Sequence, residues 1–422
     1  MIGNINTKLD QLAACEAVHS ILDRIYLFLF GFLFLDAFYR TSLFPQTYVV
    51  NQWLPTLILL ALILVKLFLY GRNTPIRTML CGVLAMSVLT IYKTTRDINL
   101  PIMAYLVIGA CGVSFNKILS VYTAVGAPFL VICIAASQFG VIPDLIDAGR
   151  GIRHSFGMIF PTDFAAHVTF LVLAWGGMRG KRLTWPELGV FALFAWAVKY
   201  FCDARTSFIS LLVFTALCAC TKLYDRYGNA LKSRLRKVLQ TVWTALQLLA
   251  SNSIVILSAL MVVLTWSYSD SAFSQTLDRL FSGRLMLGKW AFEDYGIPLL
   301  GQEVVMQGRG YSETQELGYY FYIDCSYIKM LICYGLLASV VIWVAYMLLG
   351  RRAVKDGNIW LVWMLGVIGL HCTMEHHLME IAYNPFLLAL FAHWECSCKG
   401  EPCRQSAISF LTRKSRAANP ER

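Results

Sequence analysis

Apolar runs of about 20 residues recur along almost the whole chain, and no other feature constrains its fold as much. An α-helix of that length is what crosses the hydrocarbon core of a bilayer with its backbone hydrogen bonds made internally. Of the 422 residues, 58% are hydrophobic and only 14% charged, against about 25% charged in a soluble domain. Mean hydropathy is +0.60. The expected fold class is therefore all-α, a polytopic membrane protein forming a single integral membrane domain over 1–422. The first 20 residues, with Asn4, Asn6 and Asp10, are too polar for a cleavable signal. The first apolar run, after Arg24, is expected to act as an uncleaved anchor.

About twelve spans are expected, roughly 22–40, 52–70, 77–93, 100–114, 119–138, 160–178, 185–201, 205–221, 247–268, 325–349, 359–374 and 381–397. Alternate connections are basic. They hold Arg72 and Arg77, then Lys117, then Arg179, Lys181 and Arg182, a basic loop at about 222–240, Arg351, Arg352 and Lys355, and a tail at about 398–422. The positive-inside rule places that set, with both termini, in the cytoplasm. The other side receives 41–51, 94–99, 139–159, 202–204, an acid-rich loop at about 269–324, and 375–380. The net charge of +11 is explained by the cytoplasmic loops rather than by nucleic acid, which is excluded as a partner. The thirteen cysteines are scattered through apolar runs and read mainly as small buried hydrophobes. Cys396, Cys398 and Cys403 lack a second ligand pair at zinc spacing. No metal and no cofactor are expected.

Several basic residues fall on the expected outer side, against the topogenic bias. They are Arg150, Arg153 and His154, then Lys199 and Arg205, then Arg279, Arg284, Lys289 and Arg309. An arginine near the middle of a bilayer costs about 2.5–3.5 kcal/mol on insertion scales. Its planar fork grips phosphate bidentately. The cluster therefore points to an anionic, lipid-linked partner, with arginines stabilising a diphosphate leaving group; the alternative is snorkelling to headgroups or helix capping. Arg205 lies in a turn too short to be mobile. In "HCTMEHHLME", His371 and Glu375 are spaced i, i+4, and His376 follows. The spacing is neither HExxH nor HxxEH, so polar residues lining an outer vestibule are the expected reading, with a general-base role for one histidine left open. Span interiors carry few charges, which favours a membrane enzyme acting at one face over an ion-coupled transporter.

Five stretches, "RHSFGMIFPTDFAAH" (153–167), "DARTSFISLL" (203–212), "SGRLMLGKWAFEDYGIPLLGQ" (282–302), "YIDCSYIKMLICYGL" (322–336) and "YNPFLLAL" (383–390), resemble bacterial polysaccharide repeat-unit polymerases of the Wzy type, which are related to the O-antigen ligases. The resemblance covers about 100–395. It implies a metal-independent, inverting glycosyltransferase that polymerises undecaprenyl-pyrophosphate-linked repeat units into capsular or exopolysaccharide at the outer face of the bacterial cytoplasmic membrane. Donor and acceptor lipid-linked glycans and membrane lipids are the implied partners, with a chain-length regulator as a further candidate. By motif position, Arg205 and Arg284 match two functional arginines of the ligases. The ligase histidine falls on Asp324, a departure that favours polymerase over ligase and makes Asp324 the candidate base. Arg153, His154, Arg309, His371 and His376 are candidate substrate-binding residues. A ligase-type transferase and a lipid-linked oligosaccharide flippase are the competing readings.

Overall fold

The computed structural model describes residues 16–48, 51–71, 82, 87–147, 152–230, 233–308 and 321–394. Arg150, Arg309, the cysteines at 396, 398 and 403 and the tail at 398–422 lie outside them. The described residues are helical almost throughout, and one continuous buried core links Leu22 to Trp394. The one sheet among them is a short antiparallel pair, Ile146–Asp147 against Arg153–His154.

Twelve helices follow in order. They are α1 Glu16–Tyr39, α2 Trp53–Gly71, α3 Asn99–Gly109, α4 Phe115–Gln138, α5 Pro161–Arg179, α6 Trp185–Cys202, α7 Arg205–Tyr227, α8 Ser233–Trp266, α9 Ala272–Leu280, α10 Arg284–Tyr295, α11 Ser326–Lys355 and α12 Ile359–His371. A further helical stretch covers 87–95. Four of them, α4, α7, α8 and α11, are long and apolar enough to cross a membrane, and α2, α3 and α12 are shorter apolar helices. Helix starts follow from local chemistry: Pro161 opens α5, and Thr184 with Glu187 forms a capping box on α6.

The connections sort to two ends of the bundle. At one end Leu43 N–H donates to Gly157, Arg153 to the Cys202 carbonyl, and Tyr334 OH to Asp97. At the other, Lys222 reaches the Leu183 carbonyl, Arg179 pairs with Glu187, and Phe115 N–H meets the His393 carbonyl.

Two expectations are corrected. The stretch 222–240 is not a basic loop. Helix α7 runs to Tyr227 and α8 starts at Ser233. The reason is visible in Leu235, Val238, Leu239, Val242 and Leu246, whose spacing is helical. The result is a 34-residue helix, about 51 Å long against a hydrocarbon core of about 30 Å.

The described part of the twelfth expected span, 381–394, is not an α-helix. After α12 the chain turns back through two 3-10 turns, His377–Met379 and Phe386–Leu390. It reaches the opposite end, where His393 exchanges hydrogen bonds with Val113 and Phe115. Pro385 lacks an N–H and disfavours helix at Asn384. Buried backbone of this kind needs its polar groups satisfied from elsewhere. Asn384, fully buried, donates to the Leu378 carbonyl and Tyr346 OH and accepts from Phe386 N–H. Tyr122 OH donates to the Tyr383 carbonyl, and Arg352 to the carbonyls of Ala389 and Leu390.

The 269–324 loop carries α9 and α10 and then an extended stretch that docks on a break in α11. There, Met330–Tyr334 form a π turn and Gly335 takes φ +83°. Gln302 N–H donates to the Cys333 carbonyl, its side chain to Ile332, and Leu336 N–H to Pro298.

Helix α8 packs on α11 and α12 through small residues. A Cβ on Gly350 would lie 2.0 Å from the Ser251 carbonyl oxygen, and one on Gly369 would lie 2.5 Å from Ser253 Oγ. Close approach of this kind is how helices associate without a hydrophobic driving force. Gly350→Ala is therefore expected to cost about 1–3 kcal/mol and to lower the melting midpoint in detergent. Gly189→Ala, which meets nothing within 4 Å, is expected to leave that midpoint unchanged or raise it. Equal midpoints for the two variants would contradict the close packing.

Candidate functional site

The site forms where the long loop, the start of α11 and the turn after α12 converge. Gly283, at φ +86°, turns the chain into α10, and Asp278 caps that helix by accepting from Leu285 and Met286 N–H. Arg284 is thereby fixed at the first position of α10. Its Nε donates to the Met374 carbonyl at 3.2 Å, one terminal nitrogen donates to Ser282, and the other pairs with Asp324 at 3.3 Å. One guanidinium thus joins all three elements.

The turn after α12 is pinned further. Ser326 Oγ donates to the Glu375 carbonyl at 2.6 Å and accepts from Leu378 N–H. Ser326 N–H donates to Cys372. One turn into α11, directly before the π turn, Lys329 pairs with Glu380 at 2.9 Å. His376 and His377 lie within 4 Å of the same carboxylate, and Tyr322 OH meets His376 Nε2 at 3.2 Å. His377 stacks on Tyr383, as does His167 from α5. Asp163, buried at the start of α5, is close enough for its charge to act on Glu375 and Glu380.

The sequence-predicted residues are placed as follows. Arg284 and Asp324 are brought together. His376 belongs to the same cluster. His371 is fully buried at the end of α12, against Ser210 and the rings of Phe170 and His377, so the helix stops before the expected i, i+4 partner Glu375. His154 is paired with Asp144 at 2.6 Å. Arg153 donates from Nε to the Cys202 carbonyl, and its charge acts on both Asp203 and Glu375. Arg205 is exposed at the start of α7 and has no hydrogen bond or ion pair among the described residues, because the neighbouring Asp203 is taken by Lys199. Arg205 lies three residues beyond Cys202, and Ser210 on the same helix reaches His371. Arg205 and Arg284 therefore lie at one end of the bundle.

Sequence reasoning passed over Lys329 and Glu380 and did not single out Glu375 or Asp163 as site residues. The available signal was a lone lysine four residues into an apolar span, together with two acids in "MEHHLME".

The electrostatics follow from burial. Burial pushes the Asp324 carboxyl up, against the pull of Arg284. Burial likewise raises Glu375 from 4.5 to about 8, with Arg284 opposing and Asp324 and Asp163 adding to the rise. Burial also works to raise Glu380, but His376, Lys329 and His377 outweigh it and hold Glu380 well below the usual carboxylate range. His376, His377 and Glu380 place ligand atoms within 4.8 Å of one another. The Lys329 ammonium already occupies the cationic position against Glu380, so the trio reads as an ion-paired network and not as a metal centre.

No family model, curated protein or solved structure matches this chain.

A group whose folded pKa is raised binds its proton when the unfolded chain has released it, so stability falls as pH rises between the two values. For Glu375 that window runs from 4.5 to about 8. Glu375→Gln is therefore expected to be more stable than wild type near pH 8, by about 1–3 kcal/mol, the usual cost of a buried group without a partner. The gain should vanish at pH 4.5. A variant no more stable at pH 8 than at pH 4.5, each relative to wild type, would contradict this placement.

Proposed function

We propose that the chain is a membrane-embedded glycosyltransferase that polymerises undecaprenyl-pyrophosphate-linked repeat units at the outer face of the bacterial cytoplasmic membrane. The observation that carries the reading is the gathering of Arg153, Arg205, Arg284 and Lys329 at one end of an apolar helix bundle, around carboxylates on separate elements. Cations gathered at the end of apolar helices mark an anionic or ionisable partner. A lipid diphosphate with a glycan attached matches such a face in charge.

In this reading the end that carries the long loop and the 375–380 turn faces outward, both termini are cytoplasmic, and about twelve crossings are made, the last of them by the irregular segment that follows that turn, 381–394. Arg205, exposed and rigidly mounted between α6 and α7, takes the donor pyrophosphate together with Arg153. The leaving group departs as a diphosphate and needs no proton, so electrostatic stabilisation by guanidinium groups is the main protein contribution. Arg284 holds Asp324 and the 372–380 turn in register and lends its charge to the same region. The acceptor sugar hydroxyl must lose a proton, which requires a carboxylate near the attack line. Two observations speak against a flippase: the long helices are almost free of ionisable groups at mid-length, and the site charges converge at one end.

The purified protein in detergent, given lipid-linked repeat units, is expected to produce a ladder of polymer lengths. Arg205→Ala and Arg284→Ala are expected to lower that activity by about 10²-fold or more. Arg205→Lys should restore little, because the bidentate geometry is lost. Wild-type ladders from both alanine variants would refute the assignment. Transport of the lipid-linked unit without any ladder would favour the flippase.

A further inference from the structure

The reaction needs a base, and four carboxylates stand at the site: Glu380 is paired with Lys329 and Asp163 is hydrogen-bonded to Tyr383, which leaves Asp324 and Glu375 to compare. We propose that Glu375 is the general base that takes the acceptor hydroxyl proton, and that Asp324 is a positioning residue that orients Arg284. The inference rests on the polymerase reading above and adds to it the identity of the base.

Asp324 is already committed, since its carboxylate holds the Arg284 guanidinium at 3.3 Å. A base tied to a permanent cation is weakened for proton transfer. Glu375 is in the opposite condition. Its carboxylate has no hydrogen-bond partner among the described residues, and 6% of the residue remains accessible. Its backbone, by contrast, is held on every side. The preceding carbonyl accepts from Arg284, its own carbonyl accepts from Ser326 Oγ, and its N–H donates to the His371 carbonyl. A side chain left unpaired on so constrained a backbone is preorganised for a ligand rather than for packing.

The charges facing it come from four elements: Arg284 on α10, Asp324 at the head of α11, Asp163 on α5 and Arg153 on the short strand pair. Lys329, His376 and His377 act on the adjacent Glu380 instead. Burial raises the Glu375 carboxyl to about 8, close to a working pH, where a base is both available and strong.

The step balances without a co-reactant. The acceptor O–H proton moves to a Glu375 oxygen. The hydroxyl oxygen forms a bond to the donor anomeric carbon. The bond from that carbon to the pyrophosphate oxygen breaks, and its electron pair leaves with the diphosphate. Glu375 then returns its proton to water.

The test is the initial rate of ladder formation against pH for wild type, Glu375→Gln, Glu375→Asp and Asp324→Asn, each as monodisperse full-length protein in detergent. The wild-type rate is expected to rise with pH through about 8. Glu375→Gln should lose about 10²-fold or more and lose that rising limb. Glu375→Asp should recover part of the rate, with the limb present. Asp324→Asn should lower the rate while keeping the limb. Retention of rate and limb in Glu375→Gln overturns the proposal, and so does loss of the limb in Asp324→Asn alone. A wild-type protein that makes no ladder overturns the polymerase reading itself, and the base assignment with it.

Discussion

Backbone polar groups in apolar surroundings must find partners, and the rest of this structure depends on how that demand is met where the chain is not helical. Two stretches depart from helix inside the bundle. One is the break at Met330–Gly335, capped by the extended stretch that ends at Gln302. The other is the irregular return over 372–394, held by Asn384, Tyr122, Arg352 and Ser326. Both departures lead to the same place. The first sets Lys329 at the last position before the π turn. The second turns Glu375, His376, His377 and Glu380 back towards it. A continuous helix at either stretch would carry these side chains away along a straight axis. π turns are frequent at functional sites for this reason.

Charge then follows geometry. Lys329 and Glu380 neutralise each other at 2.9 Å, as do Arg284 and Asp324 at 3.3 Å. Lys66, deep in α2, is paired with Asp23 and donates a second bond to the Gly109 carbonyl. Such pairs are retained at a cost in desolvation, so they are weak evidence for stability. Glu375 and Arg205 stand outside this pattern. Each lacks a partner among the described residues, and each is mounted on a backbone that cannot shift easily. An unpaired carboxylate and an unpaired guanidinium at one end of the bundle form a complementary arrangement for a substrate with an acidic leaving group and a weakly acidic nucleophile.

Much of the fold was legible in the sequence because apolar run length reports directly on helices that face apolar surroundings. The short turn at Asp203 could be read from residue spacing and charge, whereas the ion pair of Arg284 with Asp324 could not, because nothing local in the sequence brings the long loop onto the head of α11. Segment 381–394 could not be read either, because periodicity cannot separate a buried irregular segment from a helix when nearly every residue is apolar. Pro385 was the local sign. The helical start of α8 was hidden by its basic residues, which read as a loop although the apolar positions among them keep helical spacing. Lys329 was hidden by the apolar run around it. Glu380 became meaningful only once the chain was seen to fold back on α11, a contact across 51 residues.

The central claim is that the guanidinium groups at the loop-bearing end grip a lipid-linked diphosphate. Its most direct test is the equilibrium binding of a polyprenyl pyrophosphate and of the matching monophosphate to the purified protein, at one fixed salt concentration. The account expects the diphosphate to bind at least about tenfold more tightly, as one added charge-assisted contact would give, and expects Arg205→Ala to erase that preference. Equal affinity for the two lipids in wild type would contradict it.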